Sequence, residues 1–376
     1  MQFGRNRQRI FSLDALRGLA IFIMIFVDAP PGPTYYLQAH AAWEGLTIAD
    51  LAFPGFVFAM GASAAFSMSR REISFRKIFV RSAILFLIGL IFNAKGNLFS
   101  YMLLDNFTGA ELFSGTIEHG RFFGILQRLA LTYFAGMIIV KIISSDTGIF
   151  ISAFALLILS SLGFHFYAPG APFEQSHNLS GAIDLILPGA NHIYTPTGDP
   201  EGLFGTIAST ASMLFGFLAG KVLADNTFLR DKIYILGLSG MILSVIGGAW
   251  SFVDIISKSL WTAPFALLNA GGGMILFAFF LNLFNSDESA KKIFRPVAAL
   301  GKNPLFFFLA SNICVAFFCI LPSPVEGVPY WIWLWQNTTY DLAGVELSVT
   351  IFCLIWCALW FLPAMILDWF GIVIKI

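Results

Sequence analysis

An all-α, polytopic membrane bundle of about ten transmembrane helices is the fold this sequence predicts, on three observations. Hydrophobic residues make up 57% of the 376 positions and charged ones only 12%, more apolar surface than a soluble domain of this length can bury. The apolar residues fall into ten runs close to the roughly 20 needed to cross a hydrocarbon core. Once the chain is threaded back and forth through those runs, its basic residues gather on one side.

In order, the runs are Ile10–Ala29, Gly45–Met68, Lys77–Phe92, Phe122–Ile143, Gly148–Tyr167, Leu203–Leu223, Ile233–Phe252, Ala263–Phe284, Asn303–Leu321 and Val345–Leu367. Lys77–Phe92 is short and draws on its neighbours, and the apolar stretch Ile293–Leu300 would make an eleventh span. Arg5, Arg7 and Arg9 before the first run resemble the start of a signal peptide. No small-residue cleavage pattern follows, and the run continues into Asp28-Ala29-Pro30-Pro31, so it reads as a retained span. With the N-terminus in the cytoplasm, fifteen of the 22 Lys and Arg face that side: the N-terminal segment, the loops around 70–77, 221–232 and 291–295, Lys141 and Lys375. Lys95, Arg121 and Lys258 lie at the other face, and Arg17, Arg81, Arg128 and Lys302 sit within or near spans.

The same threading puts His40, His119, His165, His177 and His192 at the outer face, with Asp184, Asp199 and Glu201. The cytoplasmic loops are too short for a separate domain, so residues 1–376 read as one transmembrane domain. Equal acidic and basic counts, 22 of each, leave no net field to attract nucleic acid. Cys314, Cys319, Cys353 and Cys357 sit in apolar runs without histidine or carboxylate beside them. They read as free packed thiols, and no metal site is expected.

Charges inside spans need a reason, since each costs about 2.5–3.5 kcal/mol on insertion scales. Asp14 and Arg17 share a face of the first helix and read as an ion pair, or as a pair in which Arg17 also meets an anionic ligand. Arg128, beside Gln127, lies seven residues into the fourth run, and Asp50 is a candidate partner. Asp50 is followed by Pro54, which can kink a span, and Gly55, Gly61 and Gly271-Gly272-Gly273 read as close-packing positions. Trp331, Trp333 and Trp335 read as an interfacial aromatic belt or, alternatively, a sugar-stacking platform.

The segment from Tyr35 to Pro54 puts His40 between aromatic residues at the mouth of the second span. A single histidine there is either a satisfied structural residue or a general acid–base group titrating near neutrality. Its flanks carry more information. Ser12-Leu13-Asp14-Ala15-Leu16-Arg17-Gly18, then His40–Gly61 with its Leu-Thr-x-Ala-Asp-Leu-x-Phe-Pro core, then Gly124-Ile125-Leu126-Gln127-Arg128-Leu129 with Thr132-Tyr133-Phe134, occur in that order. Asp184, His192 and Asp199-Pro200-Glu201-Gly202-Leu203-Phe204-Gly205-Thr206 follow, with Leu260-Trp261-Thr262 beyond them. In these motifs the chain resembles the heparan-α-glucosaminide N-acetyltransferase family.

The resemblance implies a transmembrane acyltransferase that takes acetyl groups from cytosolic acetyl-CoA to a glucosamine amine, with a catalytic histidine at His40. Asp28 stands nearest the family's upstream asparagine, in a loop one residue longer. Arg17, Arg81, Arg128 and Lys302 are the candidates for the donor's phosphates, by depth and charge. Asp50 is a candidate to orient His40 or bind the sugar, and Asp184, His192, Asp199 and Glu201 are candidates for the sugar. Asp199-Pro200-Glu201-Gly202 also reads as a turn and helix cap. The same resemblance implies a homodimer and a bacterial inner-membrane location with the His40 loop on the periplasmic side. An amino-sugar transporter and an O-acyltransferase of an envelope glycan are the other functional classes that the composition and buried charges admit.

Overall fold

A computed structural model describes residues 11–69, 73–225, 227–342 and 344–374. Ile10, Arg5, Arg7, Arg9, Arg70, Arg71 and Lys375, which enter the first run and the charge asymmetry, lie outside the described residues. The elements run α1 (Phe11–Asp28), α2 (Ala49–Met68), α3 (Phe75–Asn93), α4 (Lys95–Leu103), α5 (Gly109–Phe113), α6 (Ile125–Ile142), α7 (Asp146–Tyr167), α8 (Leu179–Asp184), α9 (Thr206–Ala224), α10 (Leu229–Trp250), α11 (Ala263–Ser286), α12 (Glu288–Lys302), α13 (Pro304–Ile320), α14 (Tyr330–Gln336) and α15 (Val345–Trp369). No β-strand occurs among the described residues, only isolated bridges such as Thr195–Gly198.

Among the described residues seven helices, α2, α6, α7, α9, α10, α11 and α15, are long and apolar enough to cross a membrane. The protein is a multi-pass membrane protein. α12 and α13 meet at 82° and together would make an eighth span. The stretch considered for an eleventh span belongs to α12, whose 15 residues reach about 22 Å at 1.5 Å per residue and carry Lys291, Lys292 and Arg295. The remaining two predicted runs form α1 and α3, of 18 and 19 residues; each carries three charged residues (Asp14, Arg17 and Asp28; Arg76, Lys77 and Arg81).

Local chemistry starts and stops these helices as the sequence requires. Ser74, Ser145 and Asn178 accept hydrogen bonds from the amides of Lys77, Gly148 and Gly181 at the starts of α3, α7 and α8, satisfying donors that a first turn leaves unpaired. Pro264 and Pro304 stand in the first turns of α11 and α13, where a missing N–H is harmless. Pro54 is tolerated inside a continuous α2.

Small residues let the helices touch main chain to main chain. A Cβ on Gly61 of α2 would lie 2.0 Å from the Met213 carbonyl oxygen of α9, and one on Gly216 would lie 2.1 Å from that of Phe58. Gly18 of α1 and Gly301 of α12 interlock in the same way. Gly216→Ala is therefore expected to force α2 and α9 apart at a cost of about 1–3 kcal/mol, seen as a lower melting temperature in detergent. Gly272→Ala is the control, because nothing lies within 4 Å of that position.

Two of the three tryptophans of α14, Trp331 and Trp335, depart from both readings, while Trp333 is half-buried. Trp331 and Trp335 are only 2% and 5% exposed, packed with Ala29, Val349 and Phe352. The Trp331 indole N–H donates to the Ala29 carbonyl at 2.9 Å and that of Trp335 to the Ser348 hydroxyl at 3.2 Å. They form a core beneath the end of α1 rather than a belt or an open platform. Cys353 and Cys357 are buried free thiols, and Cys314 and Cys319 are also unbridged.

Candidate functional site

At the end of the bundle where α1 finishes and α2 begins, the chain from Ala29 to Ile48 arches back over the helices. Asp50, in the first turn of α2, is fully buried and organises this arch. Its Oδ2 accepts from the Ala41 and Thr47 amides, each at 3.1 Å, and from the Thr47 hydroxyl at 2.9 Å. Its Oδ1 faces His40 Nδ1 at 2.9 Å. A buried carboxylate can only accept, so Nδ1 carries the proton and Nε2 the lone pair. The His40 side chain is 45% exposed, so Nε2 is reachable while the other edge of the ring is held.

Beside it lies a cavity of about 330 Å³ whose lining includes His40, Trp43, Asn178, Tyr194, Asp199 and Lys258. Trp43 is fixed by its indole N–H donating to the Phe173 carbonyl at 2.9 Å. The 251–262 segment between α10 and α11 closes another wall. It is joined to the His40 arch by the Gly45 amide donating to the Ile256 carbonyl at 2.8 Å. It is anchored further by His165 Nε2 at 2.9 Å from Asp254 Oδ1, and by Trp261, the one non-glycine residue at positive φ (51°) among the described residues. From this segment Lys258 Nζ reaches 3.1 Å from His40 Nδ1, 3.3 Å from Nε2 and 3.8 Å from Asp50 Oδ1.

The far wall is an acidic loop held by two arginines. Arg121 donates from Nε to Asp199 Oδ2 at 2.8 Å and pairs with Glu201 as well, while its guanidinium lies 4.5 Å from the centre of the Tyr194 ring. Burial opposes the charge on Arg121, but these two carboxylates raise its pKa above the usual arginine value. Burial likewise pushes Glu201 up, and the charges of Arg121, Lys258 and Arg128 outweigh it, holding the carboxyl below its ordinary 4.5. Asp184 sits behind the loop and accepts the Asp199 and Leu203 amides, each at 3.1 Å. Burial dominates there and raises its pKa from 3.8 to about 6.

These shifts have opposite signs in stability. The Asp184 contribution is complete below its ordinary pKa of 3.8 and is lost as pH rises through about 6. That of Glu201 is present above 4.5 and is lost as pH falls through its depressed pKa. Asp184→Asn is therefore expected to remove a downward slope in melting temperature between about pH 4 and 7, measured by a pH series of thermal melts.

Heparan-alpha-glucosaminide N-acetyltransferase of Mus musculus is 30% identical to the chain over 340 residues, a match covering 74% of the chain and 49% of that protein. The chain is similar to heparan-alpha-glucosaminide N-acetyltransferases over about three quarters of its own length. The Homo sapiens protein of the same name is 29% identical over 337 residues, covering 73% of the chain and 48% of its own length. The chain thus spans about half the length of the curated relatives it matches. No family model matches it.

The residues singled out from the sequence separate into distinct places in the structure. His40 and Asp50 are brought together, and Asp199 joins them at the cavity. Asp184 and Glu201 stand behind that wall. His192 bonds the Gly120 carbonyl at 2.8 Å and lines a neighbouring cavity of about 430 Å³ with Asn93 and Arg121. Asp28 meets Asn312 Nδ2 at 3.2 Å.

Arg128 differs from the sequence reading in its partner. It is buried and donates to the Gly202 and Pro200 carbonyls at 2.6 and 3.2 Å, not to Asp50. It therefore braces the acidic loop from beneath. Lys302 lies at the opposite end of the bundle, paired with Asp368, in a cavity of about 380 Å³ lined also by Phe11, Lys291, Lys292 and Arg295. Arg17 pairs with Asp14 along α1, and Arg81 lies over the Tyr133 ring at 4.7 Å. Sequence reasoning did not assign Lys258 or Arg121 to the site. Their signal was present, because both are among the three basic residues on the side that the charge pattern leaves nearly empty.

Proposed function

We propose that the protein is a membrane-embedded acetyltransferase that moves an acetyl group from cytosolic acetyl-CoA to the amine of glucosamine or of a glucosamine-terminated saccharide. The reading is carried by the His40–Asp50 pair at a cavity walled by Trp43 and Tyr194, in a chain 30% identical to a transferase named for this activity. An amino sugar's ammonium should titrate near an α-amino group, roughly 8, so losing its first proton to water to give the neutral amine is modest work. His40 Nε2 takes a second proton from the nitrogen as that amine attacks the thioester carbonyl carbon. The C–S bond then breaks and the leaving thiolate takes this second proton from the imidazolium. In the second route Nε2 itself attacks the thioester carbonyl and the C–S bond breaks to release the thiolate; the amine then attacks acetyl-His40, the Nε2–acetyl bond breaks, and the proton lost from the amine goes to the freed imidazole. Trp43 and Tyr194 offer ring faces to the sugar, and Asn178 and Asp199 offer hydrogen-bond partners, with Asp184, Glu201 and His192 supporting the walls. Asp28 tunes the charge around His40 from the end of α1.

The donor's phosphates suit the basic cavity at Lys302, with Arg17 next along α1. That helix is 18 residues long, about 27 Å at 1.5 Å per residue, so the pantetheine arm runs most of its length toward His40. Arg81 is a further donor contact on α3, and Arg128 acts through the loop it braces. This arrangement corresponds to ten spans with a cytoplasmic N-terminus and the His40 end outside, periplasmic in a bacterial inner membrane, and to a homodimer as the assembled form. Purified protein given labelled acetyl-CoA and glucosamine is expected to form N-acetylglucosamine, and His40→Ala to form none. Amino-sugar counterflow without product would establish transport instead, and labelling of polymer hydroxyls but not amines would establish an O-acyltransferase.

A further inference from the structure

We infer that Lys258 is a catalytic residue of this site, the cation that receives the negative charge developing on the carbonyl oxygen during transfer. The inference rests on the acetyl-transfer reading of the His40 site. Its structural basis is a hydrogen-bond account. Asp50 Oδ2 already accepts three donors, and Oδ1 accepts Nδ1–H of His40, so the carboxylate has no need of an ammonium. Lys258 Nζ stands 3.8 Å from Oδ1, beyond hydrogen-bond range. Its contact is with the imidazole ring, 3.1 Å from Nδ1 and 3.3 Å from Nε2, so the ammonium lies against the ring face between the two nitrogens and not along the Nε2 lone pair.

The in-plane lone pair of Nε2 is therefore open to an attacking amine while the ammonium stands beside the ring. A thioester carbonyl next to Nε2 is the group that becomes anionic during attack, and the flexible four-carbon stem of the lysine brings the ammonium to it within one side-chain movement. The other cations near the site are committed: Arg121 to Asp199 and Glu201, and Arg128 to the Pro200 and Gly202 carbonyls. Lys258 is the single Lys or Arg lining the His40 cavity among the described residues. Its side chain is 18% exposed, in a setting where a charge–charge contact is worth more than in water.

The step balances as follows. The amine lone pair forms the C–N bond, the carbonyl π pair moves onto oxygen against Lys258 Nζ–H, and the amine's proton goes to His40 Nε2. The oxyanion pair then returns to carbon, the C–S bond breaks, and the thiolate takes the proton back from the imidazolium. Lys258 stays charged throughout. Loss of one such donor lowers turnover by about 10²–10³-fold.

The test compares wild type, Lys258→Met and Lys258→Arg in detergent, with matched melting temperatures as the check on folding. Expected are a kcat about 10²–10³-fold lower in Lys258→Met, with KM for acetyl-CoA and glucosamine within about threefold of wild type, and partial recovery in Lys258→Arg. Diethylpyrocarbonate labelling of His40, read by mass spectrometry, is expected to be faster in Lys258→Met, because the ammonium against the ring no longer draws electron density from the imidazole. An unchanged kcat, a loss appearing wholly in the glucosamine KM, or unchanged His40 labelling would each overturn the assignment. Failure of wild type to acetylate any amine would overturn the transferase reading itself, and the labelling comparison would still judge the lysine–histidine contact separately.

Discussion

Asp50→Asn is expected to lower acetyl transfer by about 10³–10⁴-fold while leaving α2 and the cavity in place. The backbone donors decide how the amide sits. The Ala41 amide, the Thr47 amide and the Thr47 hydroxyl all point at one oxygen of Asp50, so the asparagine must place its carbonyl there. Its NH₂ then faces His40, and two donors cannot share one hydrogen bond. The ring responds by accepting at Nδ1 and carrying its proton on Nε2, which removes the lone pair needed on the cavity side. KM values close to wild type, together with a collapsed kcat, would mark a tautomer effect. A fall of less than tenfold would show that Asp50 does not set the tautomer.

Arg121→Met is expected to be the most destabilising single change at the site. Asp199 is buried, Glu201 nearly so, and both share this guanidinium. Removing one partner of a buried ion pair strands the other charge, at about 3–5 kcal/mol. The melting temperature should drop and transfer should disappear. Adding Asp199→Asn and Glu201→Gln to the same chain should recover part of the stability by removing the stranded charges, without recovering activity. If Arg121→Met melts with wild type, the acidic loop is held by Arg128 and Asp184 alone.

The helical bundle was legible because a bilayer punishes exposed backbone and charge so heavily that apolar run length and basic asymmetry carry the pattern. His40 and Asp50 were legible together because one short motif contains both. The remaining walls of the cavity were not, because Lys258, Asn178 and Tyr194 sit in loops whose meeting depends on helix order in three dimensions. Arg128 shows the limit well. Depth along a helix suggested an acidic partner, but the guanidinium is met by two loop carbonyls whose presence no side-chain pattern announces. Trp331 and Trp335 differ from their reading for a related reason: an aromatic cluster beside a span looks the same in sequence whether it meets lipid headgroups or packs beneath another helix.

The contact between Lys258 and His40 joins residues 218 positions apart, and this has a consequence for how the protein is made. At about 5–20 residues per second, the histidine leaves the ribosome roughly 10 to 45 seconds before the lysine that will touch it. Trp43 likewise waits for Phe173, and Gly45 for Ile256. The reactive ring is therefore among the first parts synthesised and is completed only after about two thirds of the chain. A chain interrupted at the end of α10 would hold seven of the ten apolar runs and still present a histidine that lacks Lys258.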